Sequence, residues 1–285
     1  MNFLKSIFAL ILSLILTASS SAFPAIPHED DFVLQWSDEF DGDSVDTTKW
    51  TCNYTGEESV IRKGGVWNPD FASVKDGNLH IRTEYYPDGY NGNGIPGWYT
   101  ARLNSIGLFT QRYGYFETRC ILPKGKGLWS AFWMMSHGVG NVDGGGVDGA
   151  EIDIFESAFY DSFSIFKNRV TSNIHYDGYG EAHKQQNVCK PFIFLNNPYE
   201  EYNTYGLEWN ENEYIFYING IETGRSTFGG VSQDEEWLIL SVEVGGENGV
   251  PGESWVGASI ETNTEPPTDF IVDYVRVYQY KDLVK

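Results

Sequence analysis

The sequence predicts an all-β domain, a sandwich or barrel of short antiparallel strands. Three observations carry that expectation. Short runs rich in β-branched and aromatic residues recur between clusters of Gly, Asn, Asp and Pro. Helical periodicity is nearly absent beyond the N-terminal segment. Aromatic side chains, which favour strands, make up 16% of the 285 residues.

Residues 1–22 read as a secretory signal, with Lys5 for a positive start, an apolar run over residues 7–16, and the small residues Ser20, Ser21 and Ala22 for cleavage. The run is shorter than the roughly 20 apolar residues that a membrane span needs. The expectation is an exported, secreted monomer beginning near Phe23, with no membrane association after signal removal. Residues 23–285 then form one domain, a length that a single all-β unit can reach. Residues 72–75 and 79–82 flank the turn Asp76-Gly77-Asn78 and alternate as strands. Residues 113–119 form another strand, ending before Pro123. Residues 214–218 run into Asn219-Gly220, the strongest short-range hairpin signal. Residues 237–244 and 270–280 supply later strands. The Gly-, Asn- and Pro-rich stretches 86–99 and 137–147 read as long loops able to wall a cleft.

The formal net charge of −21 excludes nucleic acid as a natural partner, because its recognition depends on Lys and Arg neutralising phosphate. It also disfavours an acidic polysaccharide unless the cleft is locally basic, so a neutral β-glucan is the expected partner. Cys52, Cys120 and Cys189 permit at most one bridge. Neither the cysteines nor the five His residues show metal-ligand spacing along the chain. Asn53-Tyr54-Thr55 is a glycosylation sequon.

The chemistry concentrates in Glu151-Ile152-Asp153-Ile154-Phe155-Glu156. The apolar residues favour a packed strand, although a solvated acidic edge strand would share the composition. On a regular strand Glu151 and Asp153 share a face and Glu156 does not. A β-bulge around Ile154-Phe155 would return Glu156 to that face. Three aligned acids cost repulsion and need a reason. Retaining glycoside hydrolysis supplies one, since it uses two carboxyls roughly 5–5.5 Å apart.

With these residues in view, the chain resembles glycoside hydrolase family 16, in particular its laminarinase-like endo-β-1,3(4)-glucanases. The resemblance runs from about Val33 to Gln279 and rests on ordered landmarks: residues 36–42, 112–119 with Leu122-Pro123, 127–135, 151–156 and 273–278. The five-position spacing of Glu151 and Glu156 is the family's bulged form, shared by laminarinases, agarases and carrageenases. The resemblance implies a β-jelly-roll sandwich of two antiparallel sheets with an open concave cleft. It implies Glu151 as nucleophile, Glu156 as general acid/base, and Asp153 between them, bonded to the nucleophile. Charge on Glu151 and Asp153 would then keep Glu156 protonated.

Trp129 and Trp133 are four apart and share a strand face; the family uses these positions as sugar platforms. Arg102, Asn104 and His175 are candidate polar contacts to substrate. Trp209 reads as core. Catalysis needs no cofactor, while a structural calcium ion is implied at Glu39, the Gly77 backbone and Asp273, because oxygen ligands suit calcium. Asp143 to Ala150 departs from the Trp-Pro-Gly-like approach of many laminarinases, which changes the cleft wall. The implied activity is retaining hydrolysis of β-1,3- or mixed β-1,3/1,4-glucans. A galactan-cleaving or transglycosylating relative, or a non-catalytic glucan-binding protein, is the alternative.

Overall fold

The computed structural model describes residues 26–52, 59–160, 167–188, 196–257, 259–260 and 267–284. The signal segment, the Asn53-Tyr54-Thr55 sequon and Cys189 lie outside those residues. Two large sheets face one another, and the apolar side chains alternating along their strands fill the space between them. The fold is all-β, as the sequence predicts.

The smaller sheet has six strands in the order Lys184–Asn187, Thr171–Tyr176, Glu151–Ser157, Leu128–Met135, Trp237–Val244 and Arg102–Asn104. All five neighbouring pairs are antiparallel. The larger sheet has eleven strands. Its centre is built from Asn203–Trp209, Gly114–Ile121, Thr268–Tyr280 and Asn78–Tyr86. Phe32–Asp38 pairs with Thr268–Tyr280, so the two ends of the described chain are held together. One pairing departs from the expected antiparallel pattern: Gly65–Trp67 runs parallel to Gly97–Thr100. That second strand overlaps the end of the stretch 86–99 expected to be loop, where buried Trp98 and Tyr99 override the surrounding turn residues.

The strand expected over residues 113–119 begins at Gly114, because Tyr113 takes a positive φ of 63° that ends extended pairing. Asn219 (φ 50°) and Gly220 (φ 73°) turn Tyr214–Ile218 into Ile221–Ser226, as the hairpin signal predicts. Between the sheets, the ring of Phe155 lies 4.2 Å from that of Tyr205 and 6.2 Å from that of Phe270. Burying each such side chain contributes about 1.5–3 kcal/mol. Phe155 therefore ties the strand that carries the acids to two central strands of the opposite sheet. Trp209 is core, as expected, and its indole N–H donates to the Ser232 carbonyl at 3.2 Å. Cys52 and Cys120 are free thiols.

Candidate active site

Register decides which side chains face the cleft. Against Leu128–Met135, Glu151 stands opposite Met135 and Asp153 opposite Trp133. The register then shifts, and Glu156 stands opposite Ala131. Met135, Trp133 and Ala131 are alternate residues on one strand and point to one face, so Glu151, Asp153 and Glu156 share that face. The shift also appears against Thr171–Tyr176, between Asp153 and Glu156. The extra residue puts Ile154 and Phe155 both into the core. The Ser172 hydroxyl donates to the Ile154 carbonyl at 2.8 Å, satisfying a backbone acceptor at the bulge.

The glycine-rich flank positions this strand. Gly138 and Gly149 lie backbone to backbone, and a Cβ on Gly138 would fall 1.7 Å from the Asp148 carbonyl oxygen. The amides of Asp143 and Gly144 donate to Asp177 Oδ1 at 3.2 and 3.1 Å. This ties the loop before the acids to the loop that carries Tyr179 and His183.

Each acid has a different environment. Glu151 accepts from the Tyr179 hydroxyl through Oε2, and its Oε1 lies 3.9 Å from His175 Nε2. Glu156 Oε2 accepts from the Asn173 side-chain amide. Asp153 Oδ2 lies 3.2 Å from His175 Nε2, a charge contact without hydrogen-bond geometry. Burial pushes the Glu156 carboxyl well above the ordinary range, and charge on Asp153 and Glu151 adds to this. Burial likewise raises Asp153 strongly, reinforced by Glu151. Burial raises Glu151 too, but His175 and the Tyr179 hydroxyl oppose it. Glu151 therefore ionises most readily of the three. One expectation changes for Asp153: it turns to His175 instead of bonding Glu151.

The remaining sequence candidates divide. Trp129 and Trp133 both face the cleft, half-buried. The Trp133 indole donates to Ser241 Oγ at 3.1 Å, which sets its ring. Trp129 meets Trp255 edge to face at 4.7 Å. Beyond Trp129 the face continues as a groove of about 520 Å³ lined in part by Lys63, Glu247, Glu253 and Trp255. His175 faces the acids directly, opposite Glu151 in register. Arg102 is buried with its guanidinium 4.5 Å over the Trp67 ring, a cation–π contact that orients it at the cleft edge. Asn104 is corrected: it is 0% exposed, and its amide donates to the Thr51 carbonyl at 2.9 Å. It braces the sheet edge and presents nothing to a sugar.

Residues 32–280 match the family model for the GH16 domain of β-porphyranases A–D. The chain belongs to glycoside hydrolase family 16. Among curated family relatives, keratan-sulfate endo-1,4-β-galactosidase of Sphingobacterium multivorum is 29% identical over 87% of this chain and 56% of its own length. β-Porphyranase B of Zobellia galactanivorans is 26% identical, covering 99% of this chain and 97% of its own. The first curated relatives are longer, and the chain spans about half their length or less. Among solved structures, the catalytic domain of an endo-1,3-β-glucanase (laminarinase) from Thermotoga petrophila RKU-1 superposes with a TM-score of 0.68 at 27% identity, over 88% of this chain and 99% of that one. Laminarinases are thus one kind of relative among several, and the likeness does not single them out.

Of the three positions that the resemblance implied for a structural calcium ion, the two carboxylates are already engaged by arginines. Both carboxylate oxygens of Glu39 accept from Arg276, at 3.0 and 2.7 Å. Asp273 is paired with Arg119. Guanidinium groups already neutralise these acids, and a dication would have to displace them. Sequence reasoning missed Tyr179, Asn173 and His183. Asn173 could have been found from strand periodicity, being two residues from His175 on the same face. Tyr179 and His183 lie on a loop, where no period marks which residues turn inward.

Proposed function

We propose that this family 16 domain is a retaining endo-glycosidase acting on β-linked polysaccharide chains. The observation that carries this is the bulge that sets Glu151 and Glu156 on one cleft face in unlike environments. Glu151, with the Tyr179 donor and His175 beside it, is the carboxylate that attacks the anomeric carbon. As that carbon–oxygen bond forms, the bond to the leaving sugar breaks, and protonated Glu156 delivers its proton to the departing oxygen. Water then attacks the glycosyl-enzyme, Glu156 takes its proton, and Glu151 is released as a carboxylate. Trp129 and Trp133 supply faces on which sugar rings stack.

For the substrate, porphyran-like and keratan-sulfate-like chains rank ahead of neutral β-glucans. The matching family model is that of β-porphyranases, and a relative of nearly equal length bears that name. Local charge supports the ranking. Although the whole chain is strongly acidic, Arg62 and Arg102 flank Trp67, and the Lys63 ammonium lies 6.0 Å over the Trp129 ring. Arg62 is neutralised by Glu243 at 2.9 Å, whereas Lys63 has no ion-pair partner among the described residues. A neutral glucan is the second reading, favoured by the superposition on a laminarinase. Substrates of this size are met outside the cell, which suits the apolar N-terminal segment as an export signal and a protein working as a secreted monomer.

The test is reducing-end release by the purified protein from porphyran, keratan sulfate, laminarin and barley β-glucan in parallel. Cleavage of the first two is expected. Cleavage of laminarin alone would replace the substrate and keep the mechanism. Binding of these chains with no cleavage of any would overturn the catalytic assignment.

A further inference from the structure

The site holds more acceptors than the reaction needs. Glu151, Asp153 and His175 each offer one ligand atom, and these atoms lie within 4.8 Å of one another. We propose that they form a divalent-cation site of the type that takes Zn²⁺, and that an ion seated there blocks the nucleophile.

Geometry carries this first. A tetrahedral Zn²⁺ with ligands at about 2.0–2.1 Å places neighbouring ligand atoms about 3.3 Å apart. His175 Nε2 lies 3.2 Å from Asp153 Oδ2 and 3.9 Å from Glu151 Oε1, and no two of the three ligand atoms are more than 4.8 Å apart, so rotation of the side chains can close three corners. The fourth corner is left to water. Tyr179 bonds the other oxygen of Glu151, Oε2, and leaves Oε1 available.

A second observation is independent of the spacing. Asp153 Oδ2 is buried and has no hydrogen-bond partner, and it points into the same space. A buried acceptor left this way has lost its water without gaining a donor, and a cation would satisfy it. The support around the imidazole is also in place. His175 Nδ1 and His183 Nε2 are 2.9 Å apart with their rings within 6° of parallel. That contact holds Nε2 toward the two carboxylates, the outer-shell arrangement that orients a metal-binding histidine.

One imidazole and two carboxylates in a tight cluster suit Zn²⁺ and other first-row ions. They do not suit Ca²⁺, which takes six to eight oxygen ligands. The ion would occupy Glu151 Oε1 beside the anomeric carbon's position, so binding and catalysis compete.

The experiment is calorimetric titration of ZnCl₂ into the purified, chelator-dialysed protein without substrate, which makes its outcome independent of whether the protein cleaves any chain. One Zn²⁺ per chain is expected, with Ca²⁺ giving no heat at the same concentration. His175→Gln and Asp153→Asn should each weaken Zn²⁺ binding at least about tenfold, and His183→Gln about 10-fold or more, in line with the loss of an outer-shell partner. Thermal unfolding of each variant without metal checks that it is folded, and His183→Gln, outside the ligand set, serves if either ligand variant fails. Absence of Zn²⁺ binding, or equal binding by wild type and all folded variants, would overturn the proposal.

Discussion

Asn173 stands directly across from Asp153 in the strand pair, yet its side-chain amide donates to Glu156, three residues further along. The bulge makes this possible by bringing Glu156 back toward the position that Asp153's neighbour would occupy in a regular strand. A donor to a carboxylate favours its ionised form. Asn173→Ala is expected to raise the Glu156 pKa further. Because the acid works protonated, the alkaline limb of the kcat/KM profile should move up by about one unit, given about 1.5–3 kcal/mol for a hydrogen bond to a charged group. An unchanged alkaline limb would mean that Asn173 does not act on the general acid.

A shift in the same direction, with the opposite effect on activity, is expected at Tyr179. Its hydroxyl opposes the burial that raises Glu151. The nucleophile works ionised, so Tyr179→Phe should move the acid limb of the profile up by about one unit, with activity below that limb falling about tenfold. A pH–rate series on the purified variant checks this, and a loss that is equal at every pH would contradict it.

Glu156→Gln should lower kcat by about 10²–10⁴-fold, the usual worth of a positioned acid/base. Glu151→Gln should lose hydrolysis at least as fully, since no nucleophile remains. Both variants should keep the wild-type thermal midpoint within a few degrees, because Gln fills the volume of Glu and leaves the strand's packing unchanged. Near-wild-type turnover of the preferred polysaccharide by either variant would remove the assignment.

Stability has its own pH dependence, set on the far sheet. Glu117 is buried between Tyr274 and Tyr115, whose hydroxyls donate to it at 2.7 and 3.2 Å. Burial pushes its carboxyl up to about 7, against the donors' opposing effect. The folded state therefore holds this proton more tightly than the unfolded chain does. The stabilisation is complete below the unfolded value and is lost as pH rises from about 4.5 to about 7, by roughly 3 kcal/mol. Glu236, which burial pushes up to about 8, adds a loss of the same sign that extends slightly higher. Glu117→Gln should flatten the fall in thermal midpoint between pH 5 and about pH 8. A wild-type midpoint that rises across this window would contradict the argument.

Lys63 tests the substrate reading. Lys63→Met should raise KM for keratan sulfate about two- to fivefold, the scale of one exposed charge contact, and leave laminarin unaffected. Added salt should erase the difference between wild type and variant. Equal KM changes on charged and neutral chains would point to packing on Trp129 instead of charge.

Local rules of the chain were enough for the β class, the Asn219-Gly220 hairpin and the three acids on one face. Period-two alternation and a five-residue spacing are properties of neighbouring residues, and a bulge is the only local device that reconciles them. His175 was also legible, as a polar residue on an alternating strand. The tertiary structure alone decided the rest. Asn104 looked like a cleft residue but lies at the sheet edge under the Thr51 backbone, a contact between residues 53 positions apart. Glu39 and Asp273 looked like calcium ligands, and partners distant in sequence, Arg276 and Arg119, claim them. Tyr179 reaches Glu151, and His183 reaches His175, from a loop held by Asp177, and their direction follows from that tether and from no periodicity. The upward shift of the Asp153 carboxyl depends on burial, which is a property of the packed sandwich and has no signature in the order of residues.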